Sequence, residues 1–80
     1  MPNLSKHRQS PALVALGQVI REIRLEREMS QESLSLIAEI DRSYLGRVER
    51  GDNNVAILAL IKIAEALSVS VEELMQKAGL

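Results

Sequence analysis

At 80 residues the chain has room for one small domain and no second core. Apolar residues make up 46% and charged residues 26%, a balance that fits a folded globular domain and excludes wholesale disorder. Ten Lys and Arg against eleven Asp and Glu leave a net charge of −1, which excludes nucleic-acid binding through bulk positive charge; the lack of Cys excludes disulfide staples, thiol nucleophiles and Cys/His zinc sites.

The elements follow in chain order. Residues 1–10 are too polar to bury and read as a flexible N-terminal tail, with residues 11–80 forming the domain. In that tail His7 has no partner at ligand spacing, and Lys6 and Arg8 read first as an ordinary short basic tail, with an arm along phosphates as the alternative. Lys6, His7 and Arg8 followed by the apolar Ala12 to Leu16 loosely copy a signal peptide, but Gln18 and Arg21 interrupt the run and no cleavage site follows. The longest apolar run, Val55 to Ile61, stops at Lys62, far short of the roughly 20 residues that span a bilayer. No membrane association is expected, and the expected compartment is the cytoplasm.

Tyr44 is the one aromatic residue, while Leu, Ile, Ala, Glu and Arg dominate, so the fold class reads as all-α with five compact helices. Ser10 and Pro11 are an N-cap and first-turn pair, and Leu13, Leu16, Ile20 and Ile23 then recur at helical spacing as far as about Glu28. Gly17 within this helix implies another backbone packed against it. Ser30 caps a second helix to about Ala38, with Leu34 and Ala38 inward. Asp41 caps a third from Arg42 to Arg50, held by Leu45 and Val48 and stopped by Gly51. Ile57, Leu60, Ile61, Ala64 and Leu67 form the inward stripe of a fourth, and the capping box Ser70 to Glu73 opens a fifth, Val71 to Ala78.

The connection between the second and third helices is too tight for an antiparallel return, which predicts a helix-turn-helix. Arg42, Ser43, Gly46, Arg47 and Arg50 then point outward, and the leading turn presents a guanidinium, a hydroxyl and unpaired backbone N–H groups. Phosphates and purine edges accept from such groups, and Arg forks onto guanine O6 and N7. No Gly-rich phosphate loop and no nucleophile–base set is present, so neither a cofactor nor catalysis is expected. Glu72 and Glu73 favour a helix dipole and form no catalytic pair; Met29 reads as filler.

The run Leu16-Gly17, Ile20-Arg21, Ile23-Arg24, Ser30-Gln31-Glu32, Leu34, Ala38, Asp41-Arg42-Ser43-Tyr44-Leu45, Arg47-Val48-Glu49-Arg50-Gly51 and Asn54 resembles the lambda-repressor-like, Cro-type helix-turn-helix family over about residues 13 to 76. The Asp-Arg-Ser-Tyr-Leu-Gly stretch is further similar to controller proteins of restriction-modification systems. The resemblance implies that the third helix enters the major groove of double-stranded DNA. It implies a phosphate contact for Gln31, base-edge and backbone contacts for Arg42, Ser43 and Tyr44, and a base or phosphate contact for Arg47. Asn53 and Asn54 would touch the backbone from the loop, and Arg24 with Glu49 would form an internal salt bridge. Where the family usually has Gly, this chain has Glu39, whose αL turn costs on the order of 1 kcal/mol. It has Ser35 for a usual Ala, Val55-Ala56 for a Pro-Ser start of the fourth helix, which moves that cap to Asn54 or weakens it, and Asp52 and Asn53 in a loop that is often basic.

Leu58, Met75 and Leu80 are expected to form one apolar patch, through which a homodimer sets two recognition helices about 34 Å apart on a near-palindromic operator. Leu36 and Ile37, where relatives are polar, mark a second surface or local packing with equal weight. The expected function is a sequence-specific transcription regulator, repressing by blocking RNA polymerase or activating by touching it. The alternative is a protein-interaction module, an antitoxin or adaptor built on the same helices.

Overall fold

The computed structural model describes residues 9–80; the tail residues Lys6, His7 and Arg8 lie outside the described residues. Five α-helices follow one another: α1 Pro11–Glu26, α2 Gln31–Ala38, α3 Arg42–Arg50, α4 Ile57–Ala66 and α5 Val71–Lys77, with no strand among the described residues. The all-α, five-helix expectation therefore holds. Four of the five starts use a side chain to satisfy an orphan N–H of the first turn: Ser10 Oγ accepts from Leu13 N at 3.2 Å, Ser30 Oγ from Ser33 N at 2.9 Å, Asp41 from Tyr44 N at 3.2 Å and Ser70 Oγ from Glu73 N at 3.0 Å.

The fifth start takes one of the two expected outcomes: the cap is weakened and does not move to Asn54. The N-cap of α4 is Ala56, which has no side chain to offer, and the Ala56 N–H instead donates to the Tyr44 hydroxyl at 3.1 Å. A residue of α3 thus ties down the entry to α4. The first helix also ends earlier than expected, at Glu26, because Glu28 turns into the left-handed region (φ 56°) and sends Met29 N–H back to the Arg24 carbonyl at 3.0 Å. The end of α5 shifts likewise from Ala78 to Lys77, with Ala78 as C-cap.

The core is Ile20, Leu34, Leu45, Ile63, Leu67 and Leu74, all fully buried, with Leu16, Val19, Ile23, Val48, Leu60 and Ala64 around them. Burying such aliphatic side chains contributes roughly 1.5 to 3 kcal/mol each relative to exposure. Every helix supplies at least one of the twelve, so none packs without the others. On α4 the inward stripe is narrower than expected. Leu60, Ile63, Ala64 and Leu67 are buried, but Ile57 is 62% exposed and Ile61 37%. Ile57 opens the helix before any neighbour covers it, and Ile61 falls beside Leu58 on the outer side of the wheel.

The link from α2 to α3 has three residues. Glu39 takes the left-handed conformation (φ 58°, ψ 46°) expected at that position, and Ile40 N–H closes back on the Ser35 carbonyl at 3.0 Å. At the other end of α3, Gly51 (φ 77°) makes the stop, and a Cβ there would meet Val14 of α1 at 2.8 Å, so both the backbone angle and the space require glycine.

Candidate nucleic-acid interface

Helix α3 is fixed from behind by three contacts. Leu45 and Val48 sink into the core. Gly17 lets α1 lie directly on α3: a Cβ there would come within 2.3 Å of the Val48 carbonyl oxygen and 2.6 Å of that of Glu49. That is the close backbone approach implied by a glycine inside a helix. Finally, Arg24 Nε and Nη2 fork onto the two Glu49 oxygens at 2.7 and 3.0 Å, with both side chains more than nine-tenths buried. Arg24 Nη1 also donates to the Met29 carbonyl at 2.8 Å, so the buried cation has donors satisfied on two sides. This is the internal pair between α1 and α3 that the resemblance implied.

The opposite side of α3 is open. Arg42 and Ser43 are exposed, and Arg42 has no partner among the described residues. Ser43 Oγ donates to Asp41 Oδ2 at 2.6 Å, and the same oxygen caps the helix. The Ser43 hydroxyl, the Tyr44 N–H and the nearby Arg47 charge hold the Asp41 carboxyl below its ordinary pKa, so it stays ionised and keeps accepting. With its proton so used, Ser43 turns oxygen lone pairs outward, which suits the amino groups of adenine and cytosine.

Tyr44 and Arg47 form the second turn of this surface. Both are half-buried, and the Arg47 guanidinium sits 5.9 Å from the Tyr44 ring centroid, within cation–π range. Asn53 joins them from the loop: its amide oxygen accepts from Arg47 Nε at 3.1 Å while its nitrogen donates to the Asp52 carbonyl at 3.2 Å. Asn54 beside it is exposed. Tyr44, Arg47 and Asn53 are thus one packed unit.

Gln31 opens α2 as expected, but its amide Nε2 donates to Glu49 Oε1 at 3.0 Å. Its side chain therefore completes the Arg24–Glu49 network and has one amide hydrogen left to offer outward. Gly46 corrects an expectation: it lies on the outer side of α3 yet is buried, because Arg50 and Gln31 fold over it, with Arg50 Nη1 3.3 Å and Gln31 Oε1 3.7 Å from where its Cβ would be. Sequence reasoning also missed the cluster beyond α3, where Arg50 Nε donates to Asp52 Oδ2 at 3.0 Å and Gln9 bonds Asp52 and the Arg50 carbonyl. Partners 41 and 43 residues apart in the chain leave no local pattern to read.

Two further sets of apolar side chains are open to solvent. Leu58 (70% exposed) and Leu80 (54%) are open and Met75 is half-buried, while Ile57 and Ile61 enlarge the apolar area on α4. Leu36 (72%) and Ile37 (59%) are also open, so they are not part of the core. No helix among the described residues is long and apolar enough to cross a membrane.

Comparison with known proteins agrees with this geometry. The family described as Helix-turn-helix (HTH_3) matches residues 20–74. The control protein C.SmaI of Serratia marcescens is 40% identical over 65 residues, which cover 81% of this chain and 77% of that protein. The crystal structure of the restriction-modification controller protein C.AhdI from Aeromonas hydrophila superposes with a TM-score of 0.76 at 45% identity, over 78% of this chain and 94% of that one. SinR, a master regulator for biofilm formation solved in complex with DNA, superposes with a TM-score of 0.71 at 36% identity, over 75% and 97% of the two chains. With the matched segment spanning all of α2, α3 and α4, the chain belongs to the XRE-type helix-turn-helix family of DNA-binding transcription regulators, which are not enzymes.

Proposed function

We propose that two copies of this chain bind a near-palindromic operator in double-stranded DNA, each laying the leading end of α3 in the major groove. The observation that carries this reading is the exposed Arg42 and Ser43 pair on a helix whose other side is locked to α1 by Gly17 and the Arg24–Glu49 bridge. Arg42 forks onto guanine, Ser43 accepts from an amino edge, and Tyr44 with Arg47 contacts bases and the adjoining backbone. Gln31 gives its remaining amide hydrogen, and Asn53 and Asn54 their loop contacts, to phosphates. The apolar surface of Leu58, Met75 and Leu80, widened by Ile57 and Ile61, joins the two copies. Bound at a promoter in the cytoplasm, the dimer represses by excluding RNA polymerase or activates by touching it.

The test is binding of a duplex that the protein selects from a random-sequence pool, measured against competitor DNA. Arg42→Ala is expected to cost roughly 1 to 3 kcal/mol and to relax preference at one base position without moving the melting temperature. Equal weakening on every sequence would reduce Arg42 to a phosphate contact. Leu58→Glu is expected to give monomers in sedimentation and to abolish cooperative binding; an unchanged dimer refutes that interface. A protein-interaction module would select no duplex.

A further inference from the structure

Arg42, Gly46 and Arg50 lie four residues apart and so form one row along the outer side of α3. At 1.5 Å per residue, Arg50 stands about 12 Å behind Arg42 along the helix axis. The major groove is about 12 Å wide. A helix whose leading guanidinium reaches base edges therefore carries its trailing one to the phosphates at the groove rim. Arg50 is built for that place. The bare Cα of Gly46 lets its side chain lie flat along the helix, with Nη1 over Gly46 and the side chain 62% exposed. Arg50 and Gln31 line one open groove of about 650 Å³ together with Arg21 and Gln9.

Its charge, however, is already opposed. Asp52 Oδ2 accepts from Arg50 Nε at 3.0 Å, and the Asp52 side chain is only 14% exposed, held in addition by Gln9. The Asp52 N–H is itself tied to the Arg47 carbonyl at 2.9 Å, so the carboxylate is fixed to the end of α3 and moves with it. We infer that Arg50 is a further contact to the DNA backbone and that Asp52 sets its strength: the carboxylate aims the guanidinium through Nε, leaves both Nη groups for phosphate, and subtracts from the attraction. This rests on the DNA-binding reading above. It makes Asp52 an attenuator of affinity, a residue whose removal improves binding.

The experiment is a titration of the duplex selected by the wild-type chain, over a range of salt, with Asp52→Asn, Arg50→Gln and the double variant. Asp52→Asn is expected to tighten binding roughly twofold to fivefold, the reach of a charge pair at the surface whose guanidinium is mostly exposed. It should also steepen the log–log salt dependence by up to about 0.9, the contribution of one more neutralised phosphate. Arg50→Gln is expected to weaken binding, and in its background the gain from Asp52→Asn should be largely lost. A gain equally large in both backgrounds would mean that Asp52 repels DNA without acting through Arg50, and no gain at all would mean that the pair is structural; either result overturns the inference. Thermal melts check folding, and Asp52→Ser repeats the cycle if Asp52→Asn does not fold. A wild-type chain that selects no duplex refutes the DNA-binding reading and this one with it, whereas selection without the expected crossing refutes this one alone.

Discussion

The two sides of α3 differ in what determines them. On the inward side every position is specified by a partner: Leu45 and Val48 by the core, Glu49 by Arg24 and Gln31, and the backbone itself by Gly17 of α1. On the outward side Arg42 and Ser43 are placed by their own helix, with Asp41, its N-cap, as the hydrogen-bond partner of the Ser43 side chain. The body thus fixes the axis of α3 from behind while leaving the front chemically free. Changes on the inner side should destabilise the protein, and changes at Arg42 and Ser43 should alter recognition at constant stability.

The largest expected effect is on the inner side. Glu49→Ala leaves Arg24 buried with one carbonyl as its only acceptor, and loss of one partner of a buried pair costs about 3 to 5 kcal/mol. That is a large fraction of what a domain of this size has, so the variant should melt at far lower temperature or fail to fold. A melting point within a few degrees of wild type would show that water reaches Arg24 and that the weld is soft. Gly17→Ala is next. The new methyl would meet two backbone carbonyl oxygens under 3.0 Å, and backbone cannot swing aside as a side chain can. Overpacking of this kind costs typically 1 to 3 kcal/mol, or more when backbone must separate. Thermal unfolding measures it; a neutral result would mean that α1 and α3 do not touch as described.

Much of the inner side was legible in the sequence. Caps at Ser10, Ser30, Asp41 and Ser70 act within three residues, so a local pattern suffices, and the αL turn at Glu39 was implied by the resemblance to a family that usually has Gly there. A glycine inside a long apolar stripe pointed to the close approach at Gly17. What escaped depends on contacts across the chain. Ala56 has no capping side chain, and its N–H is satisfied by a hydroxyl twelve residues back. The helical period placed Ile57 and Ile61 in the core stripe, but only packing decides which edge of a stripe is covered. The Arg50–Asp52–Gln9 cluster joins the loop after α3 to the start of the chain, and no periodicity encodes that.

The smallest expected effect makes the sharpest comparison, because it is the same substitution on the other side of α3. Gly46 and Gly17 are both buried helical glycines, yet around Gly46 the nearest atoms to a new methyl are Arg50 Nη1 at 3.3 Å and Gln31 Oε1 at 3.7 Å, the far ends of two flexible side chains. Those can give by a few tenths of an ångström. Replacing Gly by Ala within a helix is worth about 0.5 to 1 kcal/mol through the conformational freedom that glycine loses on folding. Gly46→Ala should therefore raise the melting temperature by several degrees, since 1 kcal/mol shifts a domain of this size by roughly 4 to 8 °C. Opposite signs for one methyl at Gly17 and at Gly46 are what a helix welded on one side and free on the other requires. A fall in melting temperature at Gly46 would show that Arg50 and Gln31 cannot yield, and hence that the outer row of α3 is as tightly determined as the inner one.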